Sequence, residues 1–248
     1  MEISSIPSFP AFASGFALLY LLAYFAVFRS WSPKHRPEAS SCFISLFHGT
    51  PAAIMAASAT SSIASPRFAA PNTPFEATVL EFSIAYFLVD LLHYVAFFPG
   101  DYLFIAHHLA TLFVFVTCRY LVRHGAYAIL GLLALAEVTS LCQNVWTLAG
   151  LRRYDSALAK RVYDYLSGPF YAFYTIVRGF FGPVFVYKMG VFYMGGEADR
   201  VIPMWVSVSW MVVVVMAISV SVLWVFNLWV EMYLERFGRA NEKKKKEN

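Results

Sequence analysis

The sequence predicts an all-α polytopic membrane protein with about seven transmembrane helices, and three observations carry that expectation. Hydrophobic residues make up 59% of the 248 residues and charged ones only 14%, against about 25% charged in a soluble domain. The apolar residues gather in runs of about 20, the length a helix rising 1.5 Å per residue needs to cross a hydrocarbon core of roughly 30 Å. The alternation of apolar and polar residues over about ten positions that marks a membrane β-strand does not occur.

The first run, 9–28, follows a start whose only charge is Glu2 and precedes Arg29, Lys34 and Arg36. A cleaved signal has a basic start and a core of about 7 to 15 residues, so this run reads as an uncleaved anchor with a lumenal N-terminus. The second, 42–64, is diluted by serines, alanines, His48, Gly49 and Pro51. It needs packing partners, because Pro and Gly in a span leave backbone groups for neighbours to satisfy. Further spans follow at 78–98, 103–122, 126–149, 167–188 and 203–230. Asp101, after Pro99-Gly100, reads as the N-cap of the fourth. Cys42, Cys118 and Cys142 are scattered in apolar segments without paired spacing and read as small core residues.

Seven spans with a lumenal N-terminus put Arg29, Lys34, Arg36, Arg152, Arg153, Lys160, Arg161, Arg236, Arg239 and Lys243 to Lys246 on one side, most of the basic residues. Cytosolic loops collect Lys and Arg, so the bias supports both count and orientation. The net charge of +4 reports this orientation and not a nucleic-acid surface, since no folded basic face accompanies it. The terminal Lys245-Lys246-Glu247-Asn248 matches the Lys-Lys-x-x pattern read by coat-protein retrieval machinery, an address and not an anchor. It implies the endoplasmic reticulum membrane with the tail in the cytosol. The organisation expected is an anchor and cytosolic loop at 1–40, a membrane domain at 41–230 and a basic tail at 231–248.

An ionisable side chain at mid-bilayer costs about 2.5 to 3.5 kcal/mol on insertion scales, so such residues face a bundle interior and serve a function. Glu81, Asp90, His93, His107, His108, Glu137, Asn144, Arg178 and Asn227 fall within spans. Helical spacing of three, four or seven groups Asp90 with His93, His107 with Thr111, Glu137 with Asn144, and Tyr171 and Tyr174 with Arg178. These faces are expected to turn toward a common cavity suited to an amphipathic lipid. Asp90 is the expected partner of His93, and Glu81 is close enough to a span end to reach the interface. Arg178 reads either as a phosphate or carboxylate clamp or as the counter-ion of Glu137 and Asp90.

The run Asp101-Tyr-Leu-Phe-Ile-Ala-His107-His108-Leu-Ala-Thr111 resembles the signature of the TLC-domain family, which includes the ceramide synthases and the translocating-chain-associated membrane protein. Phe87-Leu-Val-Asp90-Leu and Glu137-Val-Thr-Ser-Leu-Cys-Gln-Asn144 extend the resemblance over about residues 40 to 230. It implies six helices bundled around a lipid cavity, preceded by one further span. It also gives His107 and His108 a share in acyl transfer from acyl-CoA to a sphingoid amine, as acyl acceptor or general base. The aspartate run of the ceramide synthases is replaced here by Ala136-Glu137-Val138-Thr139-Ser140, which brings the chain nearer to the small relatives that influence membrane lipid composition.

The primary expectation is therefore a lipid-binding or lipid-sensing protein of membrane lipid homeostasis, with Asp90, His93, Thr111, Glu137, Asn144 and Arg178 holding a head group. The alternative is an acyltransferase using His107 and His108 with acyl-CoA as co-substrate. No other cofactor is implied. Six histidines, of which His35 and His124 fall in loops, are too few for a di-iron desaturase. No His-x-x-x-His or Glu-x-x-x-His pair sets up a zinc site on one helical face. A structural role, with the polar residues as packing glue, is the bland reading.

Overall fold

A computed structural model describes residues 8–61 and 68–247, with Ser8 and residues 235–247 as backbone alone. At the Lys245-Lys246 signal only the backbone is described, and the end of the expected second span at 62–64 lies outside the described residues. The helices run in order as α1 (Ser8–Leu22), α2 (Arg36–Thr60), α3 (Pro74–Phe97), α4 (Tyr102–Val116), α5 (Ala126–Glu137), α6 (Ser140–Arg152), α7 (Ala157–Tyr174), α8 (Gly182–Met194) and α9 (Met204–Glu247). Three π-helical stretches continue α1 (Ala23–Val27), continue α4 (Thr117–Val122) and join α7 to α8 (Thr175–Phe181).

Six of the described segments are long and apolar enough to cross a membrane: Phe9–Val27, Arg36–Thr60, Pro74–Phe97, Tyr102–Val122, Ala126–Arg152 and Met204–Leu234. The expected span at 167–188 lies inside the helical run from Ala157 to Met194. Its tyrosines, glycines and Arg178 dilute it. The second span begins earlier than expected, at Arg36, because Pro37 occupies the first turn, where a missing N–H costs nothing.

α3 is the central helix. Its start is fixed by a capping box: the Thr73 hydroxyl accepts from the Glu76 backbone N–H at 3.2 Å, and the Glu76 carboxylate accepts from the Thr73 N–H at 2.6 Å. Thr-Pro-Phe-Glu carries that signature in plain sequence. From there α3 buries Val79, Leu80, Ile84, Ala85 and Phe87 among α1, α2, α4 and α5. Glu81, near the start of α3, accepts from Arg119 Nε and Nη2 at 2.9 and 2.6 Å, so it is paired and does not reach outward unaccompanied.

α2 crosses α5 and α6 closely. A Cβ on Gly49 would stand 2.6 Å from the Ser140 Cβ and 2.9 Å from Glu137 Oε2, so only glycine permits this approach. Around the turn before α5, the Asn72 side chain donates to the Cys118 carbonyl and accepts from the Ala126 N–H, both at 2.9 Å. Gly125 adopts φ +83° against Phe68, Trp210 and Ile202. These contacts join the start of α3 to the start of α5.

Candidate functional site

The polar residues of α2, α3, α4 and α5–α6 converge, and most find partners in one another. Asp90 is buried at the middle of this set. One carboxylate oxygen accepts from the Ser41 hydroxyl at 2.6 Å, and the other meets His108 Nε2 at 2.9 Å and the Tyr86 hydroxyl at 3.5 Å. His108 Nδ1 lies 2.8 Å from the Phe104 carbonyl. A carbonyl only accepts, so Nδ1 carries a hydrogen. Nε2 is turned onto a carboxylate, and the pair together holds the remaining proton. Both ring nitrogens of His108 are thereby committed.

His93 departs from expectation. It is buried, but its Nδ1 pairs with the Tyr20 hydroxyl of α1 at 2.8 Å, not with Asp90. Three residues separate the two along α3, which puts them on adjoining sectors: Asp90 looks toward α2 and α4 and His93 toward α1. Asp101 does occupy the N-cap position of α4, and its carbonyl accepts from the Ile105 N–H at 3.1 Å, but its side chain makes no capping bond. Asn227 is exposed on α9.

Glu137 ends α5 and accepts from the Ser140 hydroxyl at 2.5 Å across the break before α6. Asn144 donates to Ser45 and to the Ser140 carbonyl, each at 2.8 Å. Behind them lies His48, fully buried. Its ring stacks on Tyr86 with centroids 4.0 Å apart, its Nε2 meets Ser83 at 3.1 Å, and its Nδ1 stands 4.0 Å from Glu137 with no hydrogen-bond partner. His48, Ser41 and Ser45 are members of the site that sequence spacing missed. Their separations of four and three residues mark one helical face, a signal hidden when serine and histidine are counted only as dilution.

Arg178 is not the direct counter-ion of either carboxylate. It donates to the Ala136 carbonyl at 2.5 Å and its guanidinium lies 5.2 Å from the Tyr174 ring centroid. The break after Glu137 explains this, since the last carbonyls of α5 have no helical donor and attract a cation. Its Nε is buried without a partner, and its charge lies within electrostatic reach of Glu137 and His107.

His107 differs from its neighbour. It is exposed, edge-on to His108 at 5.6 Å and to Phe87 at 6.3 Å between centroids. Thr111, one turn on, is half-buried. Among the described residues no three His, Cys, Asp or Glu are grouped to hold a metal ion. Two apolar cavities of about 400 and 390 Å³ open elsewhere, one beside Arg152 and one between α1, α3 and α4 at Phe9, Ile84 and Leu112.

The model of the TLC domain family matches residues 4–230. A TLC domain-containing protein of Arabidopsis thaliana is 61% identical over 240 residues, covering 96% of this chain and 94% of that one. No solved structure matches.

Proposed function

The chain belongs to the TLC-domain family, and from that premise we propose a multi-pass protein of the endoplasmic reticulum membrane that binds or senses a lipid within its helical bundle and so acts in membrane lipid homeostasis. One observation carries this reading. His108 is committed at both nitrogens while the adjacent His107 is exposed and, among the described residues, hydrogen-bonds to no carboxylate. An imidazole with no hydrogen-bonded carboxylate to orient its proton is suited to holding a polar head group more than to general-base work. Arg178, with its unpartnered Nε, supplies the second such contact. Residence in the endoplasmic reticulum with a cytosolic tail rests on the Lys245-Lys246 pattern and the distribution of basic residues.

The exposure of His107 favours one second reading, acyl transfer. A free imidazole nitrogen would attack the thioester carbonyl of acyl-CoA, release the thiol and pass the acyl group to an acceptor amine. Protein purified in mild detergent, as wild type and as His107→Ala, separates the readings. Lipid binding predicts a co-purifying lipid by mass spectrometry, less of it in the folded variant, and no product from labelled acyl-CoA with amine and alcohol lipids. Acylated product from wild type alone would replace the binding reading by the enzymatic one.

A further inference from the structure

A groove at the basic end of the bundle lies apart from the polar network. Phe28 and Trp31, just after α1, form one wall, and Leu148, Ala149, Leu158 and Val162 of α6 and α7 form the rest. Its volume of about 400 Å³ falls in the range of small-molecule sites, about 300 to 1,000 Å³. The walls are hydrocarbon and aromatic, and Arg152 and Ser156 are the polar residues lining it.

The Arg152 guanidinium lies over the Trp31 ring, 5.1 Å from its centroid. Its Nε is buried with no hydrogen-bond partner. That same Nε forms an ion pair with Oδ2 of exposed Asp155 at 3.6 Å, too long for a good hydrogen bond.

The start of α7 adds to this. Ser156 caps it by accepting from the Ala159 N–H at 3.3 Å, and no acidic residue occupies its first turn. Lys160 and Arg161 follow instead, both exposed. Cations at the positive end of a helix dipole are unfavourable unless an anion lies beside them, and exposed Asp155, just before the cap, is one anion against the three cations Arg152, Lys160 and Arg161. Arg161 and Val162 stand three and four residues after Leu158, so charge and apolar wall share one face. Arg153 is engaged elsewhere, over the rings of Tyr154 and Tyr163. Trp31 at the rim is of the type that settles at a membrane interface.

The geometry points to a binding site for an anionic phospholipid in this groove, separate from the His107 site. The head group faces Arg152 and the first turns of α7, and an acyl chain lies between Phe28, Leu148 and Val162. A charged rim alone would take any anion. The hydrocarbon walls select one that carries a chain.

The test is native mass spectrometry of the full chain in mild detergent, titrated with phosphatidylserine or phosphatidylcholine. Wild type is expected to retain one phosphatidylserine in preference to phosphatidylcholine. Arg152→Gln, Lys160→Gln and Arg161→Gln are each expected to weaken phosphatidylserine by about fivefold, the scale of one cation near an anionic lipid surface, and to leave phosphatidylcholine unchanged. Ala159→Phe, which fills the groove without touching a charge, is expected to weaken both lipids, and it carries the test if a charge variant fails to fold. Equal retention of the two lipids by wild type, or retention of phosphatidylserine by Ala159→Phe at the wild-type level, would overturn the site. Displacement of phosphatidylserine by excess inorganic phosphate would reassign it to a free anion.

Discussion

α3 and α9 are both apolar and long enough to span a bilayer, yet 61% of the most apolar stretch of α3 is buried inside the molecule and only 17% of that of α9. α3 carries Glu76, Glu81, Ser83, Asp90 and His93, all buried. α9 turns Val208, Val212, Leu223 and Phe226 outward. Of the two membrane-crossing stretches, Pro74–Phe97 and Met204–Leu234, the one with more charge is the inner one. In water the reverse holds, because water solvates charge. In a membrane the lipid takes the apolar face and the protein interior must satisfy the polar one. α3 is thus specified by its partners, whereas the outer face of α9 is specified by hydrocarbon alone.

The sharpest attempt to break this contrast is Asp90→Ala. It leaves the His108 ring without its carboxylate in a buried setting, and removing one member of such a pair costs about 3 to 5 kcal/mol. Thermal unfolding in detergent should show the largest loss here, and a double Asp90→Leu, His108→Leu exchange should recover much of it. Gly49→Val comes next, at about 1 to 3 kcal/mol for overpacking, because α2 must move away from Ser140 and Glu137; the same unfolding assay reads it. Thr73→Ala removes the cap of α3 and should cost about 1 kcal/mol, detectable as faster amide exchange in the first turn of that helix. Leu223→Ala on the outer face of α9 should cost below about 0.5 kcal/mol. A loss there as large as that of Gly49→Val would mean that α9 packs against a partner and not against lipid.

The sequence made the helical fold and most of the polar set legible because both depend on composition and local spacing. Asp90, His108, Glu137 and Asn144 were visible as polar groups within apolar runs; Asp90 meets His108, and Glu137 and Asn144 both bond to Ser140. Who meets whom was not legible. Asp90 and His93 share a spacing of three, yet the partner of Asp90 comes from α4 and that of His93 from α1, and no intrahelical rule encodes which helix packs on which side. Of the two roles the sequence leaves open for Arg178, ligand clamp or counter-ion of Glu137 and Asp90, the second is not met directly, because the helix break at Val138–Thr139 offers it a backbone carbonyl. His48 was legible in principle, since Ser41, Ser45 and His48 repeat at helical spacing.

The π-helical stretch Thr175–Phe181 joins two helices that share α9 but otherwise differ in their neighbours. Before it, Phe170 and Tyr174 pack against Trp224 of α9; after it, Phe185 packs on Phe68 and fills the space beside Gly131. A π turn winds in one extra residue, and each residue turns a helix by about 100°. When related chains are aligned, a one-residue gap between positions 175 and 181 would therefore count as a change of face for everything from Gly182 to Met194, and hardly as a change of length.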